Sequence, residues 1–363
     1  MDLYAERLTT WLPVVANGCE IQRANVTPSQ WINRYVRVPY LSRALNDRFY
    51  SRYIIYPRVA KTFQGDVNHV LDHSYGHLLR ALNPQRTIVT VHDLYPLHVS
   101  CQSALTPREQ ARKWLLRWVM GHALRARWLI APSESTKREL LSLTDYPASR
   151  ISVVHMGVDE VFFRPVEEEA QQQFRQALKV PEAARLLLHV GSCDPRKNIP
   201  LLLQGLKALL DRSGADFYLL QIGGRFAPDQ IHLIHHLGLA SQLRQRSNVS
   251  ADELMGAYQA ADVLLLPSTY EGFGLTALEA MASGTPVVAS DIGALREVVG
   301  EAGVLVGLND PAQLAAAVMT VLGDVRLRTQ LVEKGRARAA AFRWSETARK
   351  TLAVYHRVYS ERA

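Results

Sequence analysis

The spacing of apolar residues changes period along the chain. Leu3, Leu8, Trp11 and Leu12 recur at helical spacing, so residues 2–16 are expected to form a helix. Two short apolar runs follow, Thr87–Val91 and Trp128–Ala131, each ending in polar or turn residues, with a helical stretch, Arg108–Arg127, between them. They have the length of buried strands. Ser133 opens a capped helix, Ile151–His155 reads as another strand, and Gly157 to Pro165 punctuates the chain before an acidic helix at Glu167–Leu178. The second half alternates more cleanly. Strands are expected at Leu186–Val190, Phe217–Ile222, Val263–Pro267, Pro286–Ser290 and Gly303–Val306, and helices at about 199–212, 229–238, 252–260, 274–283 and 311–323. Such alternation implies βαβ units, parallel sheets and right-handed crossovers. The linker divides the chain into two α/β domains, 1–158 and 159–343. Ligands of such sheets bind beyond the carboxyl ends of the strands, so the informative residues should follow strands.

Composition narrows this only a little. The 363 residues are 48% hydrophobic and 21% charged, ordinary for a globular protein of two domains. The longest apolar runs fall well short of the roughly 20 residues a bilayer span needs. Met1-Asp2-Leu3-Tyr4-Ala5-Glu6 is acidic where a secretion signal is basic, and no such signal is expected. Cys19, Cys101 and Cys193 form no CxxC pair, which fits a reducing cytoplasm. The net charge is +8, and +7 of it lies in residues 1–160. A basic first half favours anionic partners, or serves solubility alone.

Three constellations carry candidate chemistry. Glu271-Gly272-Phe273-Gly274-Leu275-Thr276-Ala277-Leu278-Glu279 follows a strand and opens a helix. Its glycines let backbone N–H groups approach a ligand, and the helix start favours a diphosphate. One carboxylate could accept hydrogen bonds from a sugar and the other from a ribose. Gly191-Ser192-Cys193-Asp194-Pro195-Arg196-Lys197-Asn198 follows another strand, with adjacent cations able to clamp phosphates. The chain has no Asp-X-Asp, so no metal is expected, and Arg196 and Lys197 would offset leaving-group charge instead. His92-Asp93 ends a strand in the first half, where an imidazole can bind a hydroxyl or move a proton. Each also has a plainer reading, as surface carboxylates, a solvated cation pair and a satisfied strand-end pair. Gly272-x-Gly274-x-x-Ala277 with Asp291 also fits a dinucleotide fingerprint and an NAD(P)-dependent oxidoreductase. Ser268 to Glu271, preceded by Pro267, separate Gly272 from the hydrophobic run, where that fingerprint wants a tight turn.

The segment Glu271–Glu279 resembles the signature of retaining glycosyltransferases of family four, the group 1 transferases of the GT-B fold. Val91-His92-Asp93-Leu94, Pro132 to Lys137, Gly157-Val158-Asp159, Gly191 to Asn198 and Met281 to Val288 are similar to family segments in the family's order. The resemblance implies two Rossmann-like domains facing a central cleft, the first completed by a C-terminal helix within 344–363. It implies that Arg196 and Lys197 hold the donor diphosphate and that Glu271 binds the transferred sugar beside the backbone of Phe273, Gly274 and Leu275. Glu279 would bind the ribose, Val249 would lie near the base, Gly191 would line the donor site, and His92 with Asp93 would approach the sugar from the first domain. The implied reaction is a metal-independent, retaining transfer of a hexose, mannose or glucose, from a GDP- or UDP-sugar to a glycan or lipid-linked acceptor in surface polysaccharide synthesis.

In one respect the chain departs from that pattern. The family's first strand and Gly-rich loop are not seen before the Met1–Leu8 helix, so Met1 is expected to be internal to a longer natural chain, or the protein to be a catalytically impaired regulatory partner. An epimerase or phosphorylase on the same architecture is a further alternative. Residues 112–128 mix Arg112, Lys113, Trp114, Arg117, Trp118, Arg125, Arg127 and Trp128. They read as an interfacial helix on an anionic membrane, at the inner face of the cell membrane, or as a core helix with a snorkelling basic edge. No nucleic-acid partner is expected.

Overall fold

The computed structural model describes residues 2–16, 20–23, 50–95, 97 and 107–361. The chain forms two compact units, one of Met1–His155 with Trp344–Ala363 and one of Met156–Arg343. Cys19 and Cys101 lie outside the described residues, and Cys193 is a buried free thiol.

The first unit opens on the helix Asp2–Val15 and holds a parallel four-stranded sheet in sequential order: β1 Asn68–Val70, β2 Thr87–Thr90, β3 Trp128–Ala131 and β4 Ile151–Val153. β2 and β3 are buried at every position, as strands covered on both faces must be. The helix Trp344–Ser360 belongs to this unit. Its Val354 and Val358 share a core with Ile88, Trp128, Ile130 and Val154. Thr347 donates to the His155 carbonyl at 2.8 Å, and the Tyr355 hydroxyl meets His69 Nδ1 at 2.7 Å. The basic-aromatic helix spans Pro107–Ala123. Val119, Met120 and Ala123 are buried on one edge, whereas Trp114 is 65% exposed.

The second unit holds a parallel six-stranded sheet: β5 Arg185–Gly191, β6 Phe217–Gly223, β7 Leu243–Arg246, β8 Val263–Leu266, β9 Val287–Ser290 and β10 Val304–Val306. Their spatial order is β10-β9-β8-β5-β6-β7. Leu186, Leu188 and Val190 enter one core cluster and Leu187 the opposite one, as the two-residue period of a strand dictates. Chain order reverses between β5 and β8, so their carboxyl ends form the topological switch point where ligands of such sheets sit. Two strands escaped the apolar pattern. β7 carries Arg244, Gln245 and Arg246 and pairs only with β6, and β1 is three residues at the edge of the first sheet. The helix Val325–Ala340, rich in basic residues, was also unforeseen. It begins directly after Asp324, whose carboxylate accepts from Leu327 N.

Candidate active site

Both glycine loops of the second unit leave the switch point. β5 ends at Gly191, whose φ is +153°. A Cβ there would stand 3.1 Å from Lys197 Cε, so the missing side chain is what lets Lys197 fold over the strand end. Pro195–Lys197 form a turn of 3-10 helix, and Asn198 in the left-handed region starts the helix Ile199–Ser213. Neighbouring β6 ends at Gly223, φ +111°, where a Cβ would meet the Gly191 carbonyl at 2.7 Å. β8 leads through Ser268 and Glu271 to Gly274, φ +111°, which precedes the helix Leu275–Ala282. The two loops are tied together, because Thr269 N donates to the Arg196 carbonyl at 2.8 Å.

Arg196, Lys197 and Glu271 converge. Lys197 Nζ donates to Glu271 Oε1 at 2.5 Å, Arg196 Nη1 to Oε2 at 3.3 Å, and the Ser268 hydroxyl to Oε1 at 2.8 Å. Burial alone would raise the Glu271 carboxyl, but Lys197, Arg196 and Ser268 outweigh it and hold the group below its ordinary range. Glu279 lies about one turn along the helix Leu275–Ala282 and is 7% exposed. Burial pushes its carboxyl from 4.5 up to about 7, against the hydroxyl of Tyr258, which donates to Oε2 at 2.8 Å. Phe273 turns its ring into the core against Phe342, so only its backbone can serve a ligand. Val249 packs on the same core just before Ser250, which caps the helix Ala251–Ala260 that carries Tyr258.

His92 and Asp93 stand just past the end of β2 in the first unit. His92 Nε2 meets the Leu71 carbonyl at 2.8 Å, so that nitrogen carries the hydrogen and Nδ1 is an acceptor. Burial lowers the imidazole's pKa, against Asp72 and the Leu71 carbonyl, which favour the charged form. Tyr4 packs edge-on against the ring at 4.9 Å. Asp93 accepts from Tyr95 N at 3.2 Å and shapes the turn.

Sequence reasoning missed Ser268, Tyr258 and the buried pair His189–Gln221. His189 Nδ1 lies 2.5 Å from Gln221 Oε1, while Gln221 Nε2 donates to the Gly191 carbonyl at 2.9 Å and so supports the strand end. Each is an ordinary core residue by pattern, and only three-dimensional pairing gives it a role.

Residues 170–338 match the family described as Glycosyl transferases group 1, and residues 14–162 match Glycosyltransferase Family 4. The D-inositol 3-phosphate glycosyltransferase of Corynebacterium glutamicum is 31% identical over 290 residues, 77% of this chain and 69% of its own length. The chain belongs to the group 1 glycosyltransferases. A relative of the same name from Kineococcus radiotolerans is 36% identical over 254 residues, covering 65% of this transferase and 58% of its own length. Among solved structures, WaaG, a glycosyltransferase involved in lipopolysaccharide biosynthesis, superposes with a TM-score of 0.71 over 97% of this chain and 94% of its own at 17% identity. Anabaena HepE, in complex with UDP and glucose, gives 0.68 over 82% and 80% at 21% identity. At these identities the likeness is one of fold, and the transferase has the GT-B architecture.

Proposed function

We propose that this transferase moves a hexose, mannose or glucose, from a nucleoside-diphosphate sugar to a glycan or lipid-linked acceptor, with retention of anomeric configuration. The observation that carries the reading is the convergence of Arg196, Lys197, Glu271 and a helix start on the switch point between β5 and β8. In this reading Arg196 and Lys197 take the diphosphate and offset leaving-group charge without a metal. The amides of Phe273, Gly274 and Leu275 add helix-start donors. Glu271 holds sugar hydroxyls, Glu279 the ribose, and Val249 flanks the base, while Gly191 keeps the strand end open. Glu271 is already held by three donors, which suits hydroxyl binding better than covalent attack on the anomeric carbon and favours front-face retention. Neutral His92, oriented beside Asp93, offers Nδ1 to a substrate hydroxyl.

HepE's UDP and glucose put UDP-glucose beside GDP-mannose as the first donors to try. The inositol-phosphate relatives add a phosphorylated polyol to the acceptors. Exposed Trp114, with Lys113 and Arg117 beside it, favours contact with an anionic membrane at its cytoplasmic face, in surface-glycan synthesis. Arg112's side chain lies outside the described residues. Among the described residues no helix is long and apolar enough to cross a membrane. The test is product analysis: each donor is incubated with sugar, polyol-phosphate and lipid-linked acceptors, and the anomeric coupling of the product is read by NMR. A retained configuration, lost with Glu271→Ala, supports the reading. An inverted product overturns retention, and nucleotide binding without transfer to any acceptor overturns the transfer.

A further inference from the structure

The strands of the first unit have a second end. His92 stands at their carboxyl edge, and at the amino edge Gln85 lies two residues before β2 while Arg127 and Arg150 immediately precede β3 and β4. The four residues of β2 put the two edges roughly 13 Å apart. At the amino edge an open cavity of about 390 Å³ is lined by Arg125, Arg127, Arg150, Gln85, Tyr146 and Asp145, among others. Arg127 is anchored, to Glu361 at 2.8 Å and to Gln85 Oε1 at 3.3 Å. The other two guanidiniums have no carboxylate partner among the described residues. Arg125 reaches only His122 Nδ1, at 3.5 Å, and Arg150, half-buried, has no side-chain hydrogen bond or ion pair among the described residues. Asp145, on the exposed rim, lies within ion-pair distance of none of the three. Tyr146 is buried, and its hydroxyl is committed to the Ala126 carbonyl at 2.8 Å, so its ring serves as wall.

With Arg127 paired to Glu361, the two uncommitted guanidiniums of Arg125 and Arg150 against the single rim carboxylate of Asp145 still leave the cavity positive, and their planar forks match a phosphate in geometry. The volume sits at the low end of the roughly 300–1,000 Å³ of ligand sites, enough for a sugar phosphate and small for a nucleotide sugar. The donor chemistry of the second unit leaves the basic surplus of residues 1–160 unused, and these three arginines are part of it.

We propose that this pocket binds a phosphomonoester, at a site separate from donor and acceptor. The phosphate belongs either to a soluble sugar phosphate or to a lipid headgroup, and the test separates the two. The full chain, at low ionic strength, is titrated calorimetrically with glucose 6-phosphate and with glucose. In parallel it is sedimented with phosphatidylcholine vesicles with and without phosphatidic acid. The wild type binds the phosphate and not the glucose. Arg125→Gln/Arg150→Gln weakens that binding about a hundredfold, the loss expected for two charge-assisted contacts. Arg196→Gln leaves it unchanged, and so does Arg326→Gln/Arg328→Gln, which removes the same charge from an outer helix of the other unit. Arg-dependent binding to phosphatidic acid vesicles alone assigns the phosphate to a lipid. Unaltered melting of the pocket variant without ligand shows that it is folded. Equal binding by wild type and pocket variant, equal losses in both double variants, or no binding of either ligand overturns the proposal.

Discussion

Glu271 and Glu279, with seven residues between them in one segment, sit on opposite sides of a titration. Two cations hold Glu271 ionised, while burial leaves Glu279 with a carboxyl at about 7. A carboxyl raised in the folded state destabilises the fold once it ionises. The cost sets in as pH rises above 4.5 and is complete above about 7. Glu279→Gln is therefore expected to stabilise the ligand-free protein at pH 8, by an amount of order 3 kcal/mol at most, and to do little at pH 5. Calorimetric melting at the two pH values measures this. The same variant is expected to bind nucleotide about tenfold more weakly at pH 8, because an ionised acceptor for the ribose is lost. Wild-type affinity should fall between pH 8 and 6, and the variant's should not. Glu271 has the opposite sign: its stabilisation is lost as pH falls through its lowered pKa. Lys197→Ala leaves that buried carboxylate with Arg196 and Ser268 alone, and kcat/KM should drop roughly 10²–10³-fold in steady-state assays. Lys197→Arg is not expected to restore it, because the space over Gly191 is shaped to a lysine stem at 3.1 Å.

Elements position these residues through backbone that only glycine tolerates. Gly223→Ala drives a Cβ to 2.7 Å from the Gly191 carbonyl at φ +111°, and should cost about 2–3 kcal/mol in denaturant unfolding. Gly214→Ala, also at positive φ but in open space, should cost about 1 kcal/mol and leave the site intact. The strands that carry the site were legible because Leu186–Val190 and Val263–Leu266 are buried on both faces and so are almost wholly apolar, His189 alone breaking the first run. β7 was not, since an edge strand needs only backbone pairing, and Leu243-Arg244-Gln245-Arg246 has no apolar rhythm. The loops were legible from Gly, Arg, Lys and Glu at strand ends. Their supports were not: Tyr258 lies 21 residues before Glu279, and Gln221 lies 32 after His189. Such pairs arise from helix and strand packing, and no local spacing encodes them.

At the scale of the molecule, the last helix closes the first unit, and the β5–β8 switch point organises the second. If Arg196 and Lys197 carry the leaving-group charge, chelation with EDTA should leave the transfer rate unchanged in a coupled nucleotide-release assay. The most direct test of the central claim, that the β5 and β8 loops hold a nucleotide-sugar donor, is thermal melting against UDP- and GDP-sugars, with NAD and NADP as controls. A ligand at a hundred times its Kd adds about 2.7 kcal/mol to the folded state. The expected result is a rise in melting temperature with one nucleotide family, lost in Arg196→Ala and Lys197→Ala. No rise with any nucleotide sugar, or a rise with NAD or NADP alone, would contradict the assignment of these loops.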